Sequence, residues 1–248
     1  MEARIMKAMI FAAGLGTRLR PITDTVPKAL VPVGGVPMLQ RVIAKLQSAG
    51  IDEFVVNSCH LREQVRAFVD STPLGVKVLL SEEDYAEPLE TGGGIKKAAP
   101  LLGSGRFLVH NVDILSNLDV RWFLSQDRKD SLATLLLVDA PADRYLLFND
   151  DMNLVGWTNM KTGEVKSPFP GFDPSGYRRY SFCGIHIISD QVFSLMNDWP
   201  DRFSIIDFYL KAAADHKIHG ILAPDLELID IGTPEKLSEA NASLEKFH

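Results

Sequence analysis

Short apolar runs rich in β-branched residues alternate along the chain with longer segments whose apolar positions recur every three and four residues. Strands buried on both faces read as continuous apolar runs, and a strand-then-helix rhythm leads to a mostly parallel sheet covered by helices on each side. The strand-like runs fall at residues 7–12, 53–57, 77–80, 107–111 and 133–138, with later ones near 145–148 and 183–188. Helical periodicity marks 38–48, 61–69, 95–101 and 120–125, then 205–215 and 234–247. The expected class is α/β, as one domain over residues 1–248. Residues 139–180 break the rhythm. They are rich in Pro, Gly, Asp and Lys with only short β-like pieces, which predicts an insertion or lid above the sheet.

Composition narrows the function classes. With 46% hydrophobic residues, 248 positions can fill a sizeable core. No apolar run approaches the roughly 20 residues needed to span a bilayer, and residues 1–7 lack the charged-then-apolar layout of a leader, so a cytoplasmic protein with no membrane partner is expected. Cys59 and Cys183 each lie among apolar neighbours and outside any paired motif, which predicts buried free thiols. A net charge of -6 argues against a nucleic-acid partner. It leaves room for a local basic pocket facing a phosphorylated small molecule.

Such a pocket is suggested directly after the first strand, by Ala12-Ala13-Gly14-Leu15-Gly16-Thr17-Arg18-Leu19-Arg20-Pro21. Small residues there let backbone approach a ligand, and successive amides in a tight turn form a concavity for anions. A plain strand-to-helix turn is the competing reading. The dinucleotide fingerprint would need a third glycine where Leu19 stands and an acid closing the second strand, where Asn57 and Ser58 lie. The ATPase loop would need Gly-Lys-Ser/Thr, which does not follow. Instead the loop leads to Arg18, Arg20 and Lys28, while prolines at 21, 27, 32 and 37 predict an extended wrap rather than a helix. Arg18 suits bidentate contact with a polyphosphate, and Lys28 suits one phosphate oxygen.

Two carboxylates end apolar runs, Asp113 in Phe107-Leu108-Val109-His110-Asn111-Val112-Asp113 and Asp230 in Leu228-Ile229-Asp230. Ligands of open parallel sheets bind at the carboxyl ends of strands, which would bring both acids to the glycine loop. The competing reading is that each merely caps the helix that follows. Asp119 is expected to be only a cap. The glycines of Glu90-Thr91-Gly92-Gly93-Gly94 could let a base or ribose pack on backbone.

The glycine loop together with Pro27-Lys28-Ala29-Leu30-Val31-Pro32-Val33 resembles the signature of the sugar-1-phosphate nucleotidyltransferases, also called NDP-sugar pyrophosphorylases. The likeness extends to Asp230-Ile231-Gly232-Thr233-Pro234, the family's closing motif, with no length left for the β-helix that longer members carry. It implies a Rossmann-like three-layer fold with a mixed, mostly parallel sheet. By resemblance the nucleotide is held by Ala12, Ala13, Gly14, Gly16, Thr17, Glu90, Gly92, Gly93 and Asn111, with Arg18 and Lys28 catalytic. Asp113 and Asp230 then resemble the ligands of Mg²⁺, for which Mn²⁺ can substitute. Gly184, in Ser181-Phe182-Cys183-Gly184-Ile185, resembles the sugar-pocket glycine. The family often has a lysine for the sugar phosphate near residues 202–210; none stands there, leaving Arg202 or Arg144 to replace it.

The reaction so implied joins a nucleoside triphosphate to a sugar 1-phosphate and releases pyrophosphate, in a monomer or small homo-oligomer. The likeness at residues 89–94 favours UTP. Guanylyl or cytidylyl transfer to a sugar or alcohol phosphate, and a non-catalytic nucleotide-sugar sensor, are the alternatives. A glycosyltransferase would show an Asp-x-Asp pair after the Phe107 run, and none occurs. Where the family has Asn-Gly-Asp this chain has Asn111-Val112-Asp113, which predicts a local difference in backbone.

Overall fold

Strand Ala8–Phe11 runs between two parallel neighbours, Glu53–Ser58 and Phe107–Asn111, in the computed structural model of the chain, which describes residues 6–247. Lys77–Glu82 adds a further parallel strand beyond Glu53–Ser58. Side chains alternate across a strand, so Met9 and Ile10, both fully buried, face opposite ways and enter two separate cores. Ile10, Val56 and Leu108 meet helix Met38–Ser48 and Val65 of helix Arg62–Ser71. Met9, Val55 and Val109 meet Ile95 and Ala98 of helix Glu90–Leu102 and Phe208 of helix Ile205–Ala212. Three layers result, because every central strand is apolar on both faces.

The eleven-residue strand Arg178–Ile188 pairs antiparallel with Phe107–Asn111, and Ala133–Val138 and Ile218–Leu222 continue the sheet from it. Among the described residues the sheet has ten strands and is mixed, with most of them running in the parallel direction. Ile185 lies opposite His110, so residues 178–183 project past Asn111, beyond the edge where the parallel strands end.

Residues 139–180 carry the strand expected near 145–148, Arg144–Phe148, and two that were not expected, Leu154–Asn159 and Val165–Lys166; they extend the main sheet along its overhanging end instead of standing above it. The cause is apolar content hidden among the turn residues: Leu146, Leu147, Phe148 and Leu154 are all buried. Helix Glu90–Leu102 begins five residues before the expected start, at 95, with its glycines inside the first turns. Segments expected as helices at 205–215 and 234–247 are α-helical at Ile205–Ala212 and Pro234–Ala242, the latter followed by a 3₁₀ turn at Leu244–Phe247. A small antiparallel pair, Ile114–Ser116 with Leu228–Asp230, was not expected and is decisive for the site. Residues 17–30 form three short 3₁₀ turns, in keeping with their prolines. Both cysteines are buried and free, and among the described residues no helix is long and apolar enough to cross a membrane. Residues 1–5, on which the reading of the leader partly rests, lie outside the described residues.

Candidate active site

The glycine loop leaves the carboxyl end of the central strand with its backbone anchored, since the Ala12 amide donates to Asn57 Oδ1 at 2.7 Å. Gly14 is exposed and has no atom within 4 Å of where a side chain would begin. Gly16 turns the chain at φ 64°, and a Cβ there would sit 2.7 Å from Thr23 Cγ2. The Thr23 hydroxyl donates to the Gly16 carbonyl at 2.7 Å and fixes the turn. From it springs the 3₁₀ turn Thr17–Leu19, which buries Leu19 and so points exposed Arg18 outward.

Backbone pairing of Asp230 with Ile114 brings both strand-end carboxylates to this loop, and the Ile231 amide donates to the Asp113 carbonyl at 3.0 Å. Lys28 joins them: its ammonium pairs with Asp113 and lies 3.9 Å from Asp230 Oδ1. Arg18 is 3.7 Å from the other oxygen, Asp230 Oδ2. Burial, then the negative charge of Asp113, pushes the Asp230 carboxyl above the usual carboxylate range. Asp230 Oδ1 is buried and accepts no hydrogen bond. Two adjoining carboxylates, one with an unfilled buried oxygen, fit a hard divalent cation. Mg²⁺ typically takes one or two carboxylates and completes its shell with phosphate oxygens and water. Val112 is buried and is absent from the positions of positive φ, so valine replaces the family's glycine without a left-handed backbone.

A cavity of ≈ 300 Å³ opens beside the loop, lined by Ala12, Ala13, Gly14, Lys28, Asn111 and Asp113 on one side and Asn57, Glu83, Pro88, Glu90 and Thr91 on the other. Glu83 is buried, accepting from Asn57 Nδ2 at 2.8 Å and from the Leu89 amide at 3.1 Å. Asn57 and Glu83 were not foreseen as site residues. Their signal was position alone, at or just past the carboxyl ends of the second and third parallel strands.

Gly92 and Gly93 are placed otherwise than expected. Both are buried, their amides donate to the Phe203 carbonyl at 2.9 and 3.3 Å, and side chains there would collide with Phe203 and with the Asp201 carbonyl. Their missing side chains admit a neighbouring segment of protein, while Glu90 and Thr91 face the cavity. Arg202 is engaged by Glu90 at 3.1 Å.

Gly184 sits at φ 78° in an irregular stretch of its strand, and a Cβ there would run into the Asn111 amide. The space it leaves is filled by Asn111, which it holds at the cavity wall. Arg144 lies elsewhere, on a second cavity of ≈ 420 Å³ with Tyr145, Trp157, Glu164, Lys166 and Asp207. Lys166, also unforeseen, pairs with Asp207 at 3.1 Å and lies 5.2 Å over the Trp157 ring. Lys166 thus reaches helix Ile205–Ala212 from strand Val165–Lys166.

Residues 7–145 match the protein family described as nucleotidyl transferase. Over 245 residues, 96% of both chains, the sequence is 30% identical to N-acetylmuramate alpha-1-phosphate uridylyltransferase of Caulobacter vibrioides. The chain belongs to the sugar-1-phosphate nucleotidyltransferases. The enzyme of the same description from Neisseria meningitidis is 47% identical over 115 residues, a match spanning 46% of this nucleotidyltransferase and only about half, 49%, of that relative. Other relatives are named as guanylyltransferases of mannose or heptose 1-phosphates. The fold is shared with UDP-glucose pyrophosphorylase complexed with UDP-glucose, at a TM-score of 0.81 and 17% identity, covering 99% of this chain and 100% of that one.

Proposed function

We propose that this nucleotidyltransferase moves a uridylyl group from UTP to a sugar 1-phosphate, with N-acetylmuramate 1-phosphate the favoured acceptor, and releases pyrophosphate. The observation that carries it is the meeting of Asp113, Asp230 and Lys28 at the open end of a glycine loop. The acceptor's phosphate monoester is already ionised near neutral pH, so its oxygen needs no general base to attack the α-phosphorus in line. The task left to the protein is to position two anions and stabilise charge moving to the leaving group. Lys28, recessed between the carboxylates, steadies a phosphate oxygen of the reacting groups. Arg18 and the amides around Gly14 and Gly16 face the pyrophosphate end. Asp113 and Asp230 hold Mg²⁺, with Mn²⁺ as substitute, and the cation when bound supplies charge neutralisation at the phosphates.

The base is assigned to the cavity side formed by Asn57, Glu83, Pro88 and Thr91. The Glu83 carboxylate offers acceptors only. Uracil and guanine carry a ring N–H that such an acceptor recognises, whereas adenine and cytosine present a ring lone pair there. This supports UTP, and it equally favours GTP as the second reading, matching the guanylyltransferases among the relatives. A thermal-shift comparison of the four nucleoside triphosphates with Mg²⁺ tests the assignment, because a ligand that binds only the folded chain raises its melting temperature. A shift with ATP or GTP and none with UTP would refute uridylyl transfer.

The sugar is assigned to the overhanging strands of residues 139–180, which on this reading close over the acceptor in a cytoplasmic, single-domain enzyme. Hydrogen exchange with and without product is the check. Equal exchange at 139–180 in both states would rule out closure.

A further inference from the structure

The second cavity and the first are bounded by neighbouring residues of the same elements. Strand Arg178–Ile188 touches both: Gly184 packs on Asn111 of the loop cavity, and Phe182, two positions earlier, lines the second. Two residues of strand span about 7 Å. The opposite wall repeats the spacing. Thr91 of the loop cavity accepts a hydrogen bond from the Ile205 amide at 2.9 Å, and the preceding residue, Ser204, lines the second cavity. A sugar whose 1-phosphate sits by Asn111 and Asp113 therefore directs its ring substituents into the space under Arg144.

The charges in that space are unequal in their commitments. Lys166 is held by Asp207 at 3.1 Å and Glu164 at 3.8 Å and covers the Trp157 face, so this cation and its two carboxylates already answer one another. Arg144 is the other cation of the lining, and among the described residues no carboxylate lies within ion-pairing distance of it. A guanidinium is a planar fork matched to a carboxylate, and a charge-assisted pair of that kind is roughly twice as strong as a neutral hydrogen bond.

We infer that Arg144 reads a carboxylate carried on the sugar ring, so that the enzyme selects acidic sugar 1-phosphates over their neutral counterparts. The inference rests on the proposed acceptor, a sugar 1-phosphate lodged beneath residues 139–180. The chemistry it requires is an acid on a short tether from the ring, as in the lactyl ether of N-acetylmuramate. A neutral sugar leaves the guanidinium to water and gains nothing from it.

The test uses the full chain and two acceptors that differ only in that group, N-acetylmuramate 1-phosphate and N-acetylglucosamine 1-phosphate, with pyrophosphate release as readout. The wild type is expected to prefer the acid by about 100-fold in kcat/KM, the scale of one hydrogen bond to a charged group. Arg144→Gln should collapse that ratio to within about threefold of unity, chiefly by raising KM for the acid, and Arg144→Lys should keep part of it. A wild type that uses the two sugars equally, or neither of them, overturns the acidic acceptor and the inference together. A wild type that prefers the acid, with the ratio intact in Arg144→Gln or both sugars losing equally, overturns the role of Arg144 and leaves the acceptor standing.

Discussion

The Lys28 ammonium pairs with the Asp113 carboxylate in a recess that leaves their side chains only 12% and 17% exposed. Its reach to Asp230 Oδ1, 3.9 Å away, makes it, among the described residues, the cation shared by both strand-end acids, while exposed Arg18 meets Asp230 Oδ2. Two like charges this close are costly unless positive charge sits between them. The protein meets part of that need with Lys28, and a divalent cation brought with the triphosphate meets the rest.

Asp113→Asn is therefore expected to lower turnover by at least ~100-fold at saturating UTP and Mg²⁺, the scale of losing metal-based charge stabilisation. Asp230 still lies within reach of Lys28, so circular dichroism should show an intact fold. Pyrophosphate release within tenfold of wild type would remove Asp113 from the site.

Gly184→Ala should damage the site through Asn111. The added methyl meets the Asn111 amide, and the backbone at φ 78° is strained for any residue with a side chain. A loss of about 1–3 kcal/mol in stability is expected, the usual cost of such strain, together with a raised KM for nucleotide. Urea unfolding and initial-rate kinetics report the two effects separately. If both are unchanged, Asn111 moves aside freely and takes no part in the cavity.

Much of this architecture is legible in the residues. The parallel strands announce themselves because each is apolar on both faces, and Asp113 and Asp230 stand out as acids ending such runs. What was hidden has a physical cause. Whether a glycine's bare backbone faces ligand or protein depends on what folds against it, so Gly92 and Gly93 read as a nucleoside platform until Phe203 and Asp201 occupy that space. Glu83 looks like any strand-end acid until long-range packing buries it. The strands at 154–159 and 165–166 are short and flanked by turn residues, and they become strands only by pairing with each other and with Arg144–Phe148, which is itself paired to the overhang of Arg178–Ile188.

Stability should fall with acid over a window set by a buried histidine. His186 is fully enclosed, its Nδ1 2.8 Å from the Tyr209 hydroxyl, and burial pushes its pKa down to about 3. In the unfolded chain a histidine titrates near 6.5, so between about pH 6.5 and 3 the unfolded state binds the extra proton and folding weakens as pH drops. The slope approaches ~1.4 kcal/mol per pH unit from this one group, and it vanishes above about pH 7. His186→Gln, which keeps an acceptor for Tyr209, should flatten the decline in urea midpoint between pH 7 and 5. Identical declines in the two proteins would show that His186 is protonated within the fold.

Glu83→Gln should loosen the nucleotide loop as well as weaken the acceptor proposed for the base. Asn57 Oδ1 takes the Ala12 amide at 2.7 Å, Asn57 Nδ2 donates to Glu83 Oε1 at 2.8 Å, and Glu83 Oε2 takes the Leu89 amide at 3.1 Å. One carboxylate thus ties the start of the glycine loop to the segment that leads into Glu90. Glutamine has a single acceptor, so either Asn57 or the Leu89 amide must then face an NH₂ group, donor against donor, where Glu83 is 2% exposed. A buried unsatisfied donor costs about 1–3 kcal/mol. Asn57 cannot turn to compensate without releasing Ala12. The expected result is a lower melting temperature together with a KM for UTP raised by about 10-fold or more, because the loop that cradles the phosphates is no longer pinned. Calorimetry and nucleotide titration of kinetics decide it: a variant that melts lower yet keeps its KM would show that the chain Ala12, Asn57, Glu83, Leu89 supports the fold and not the site.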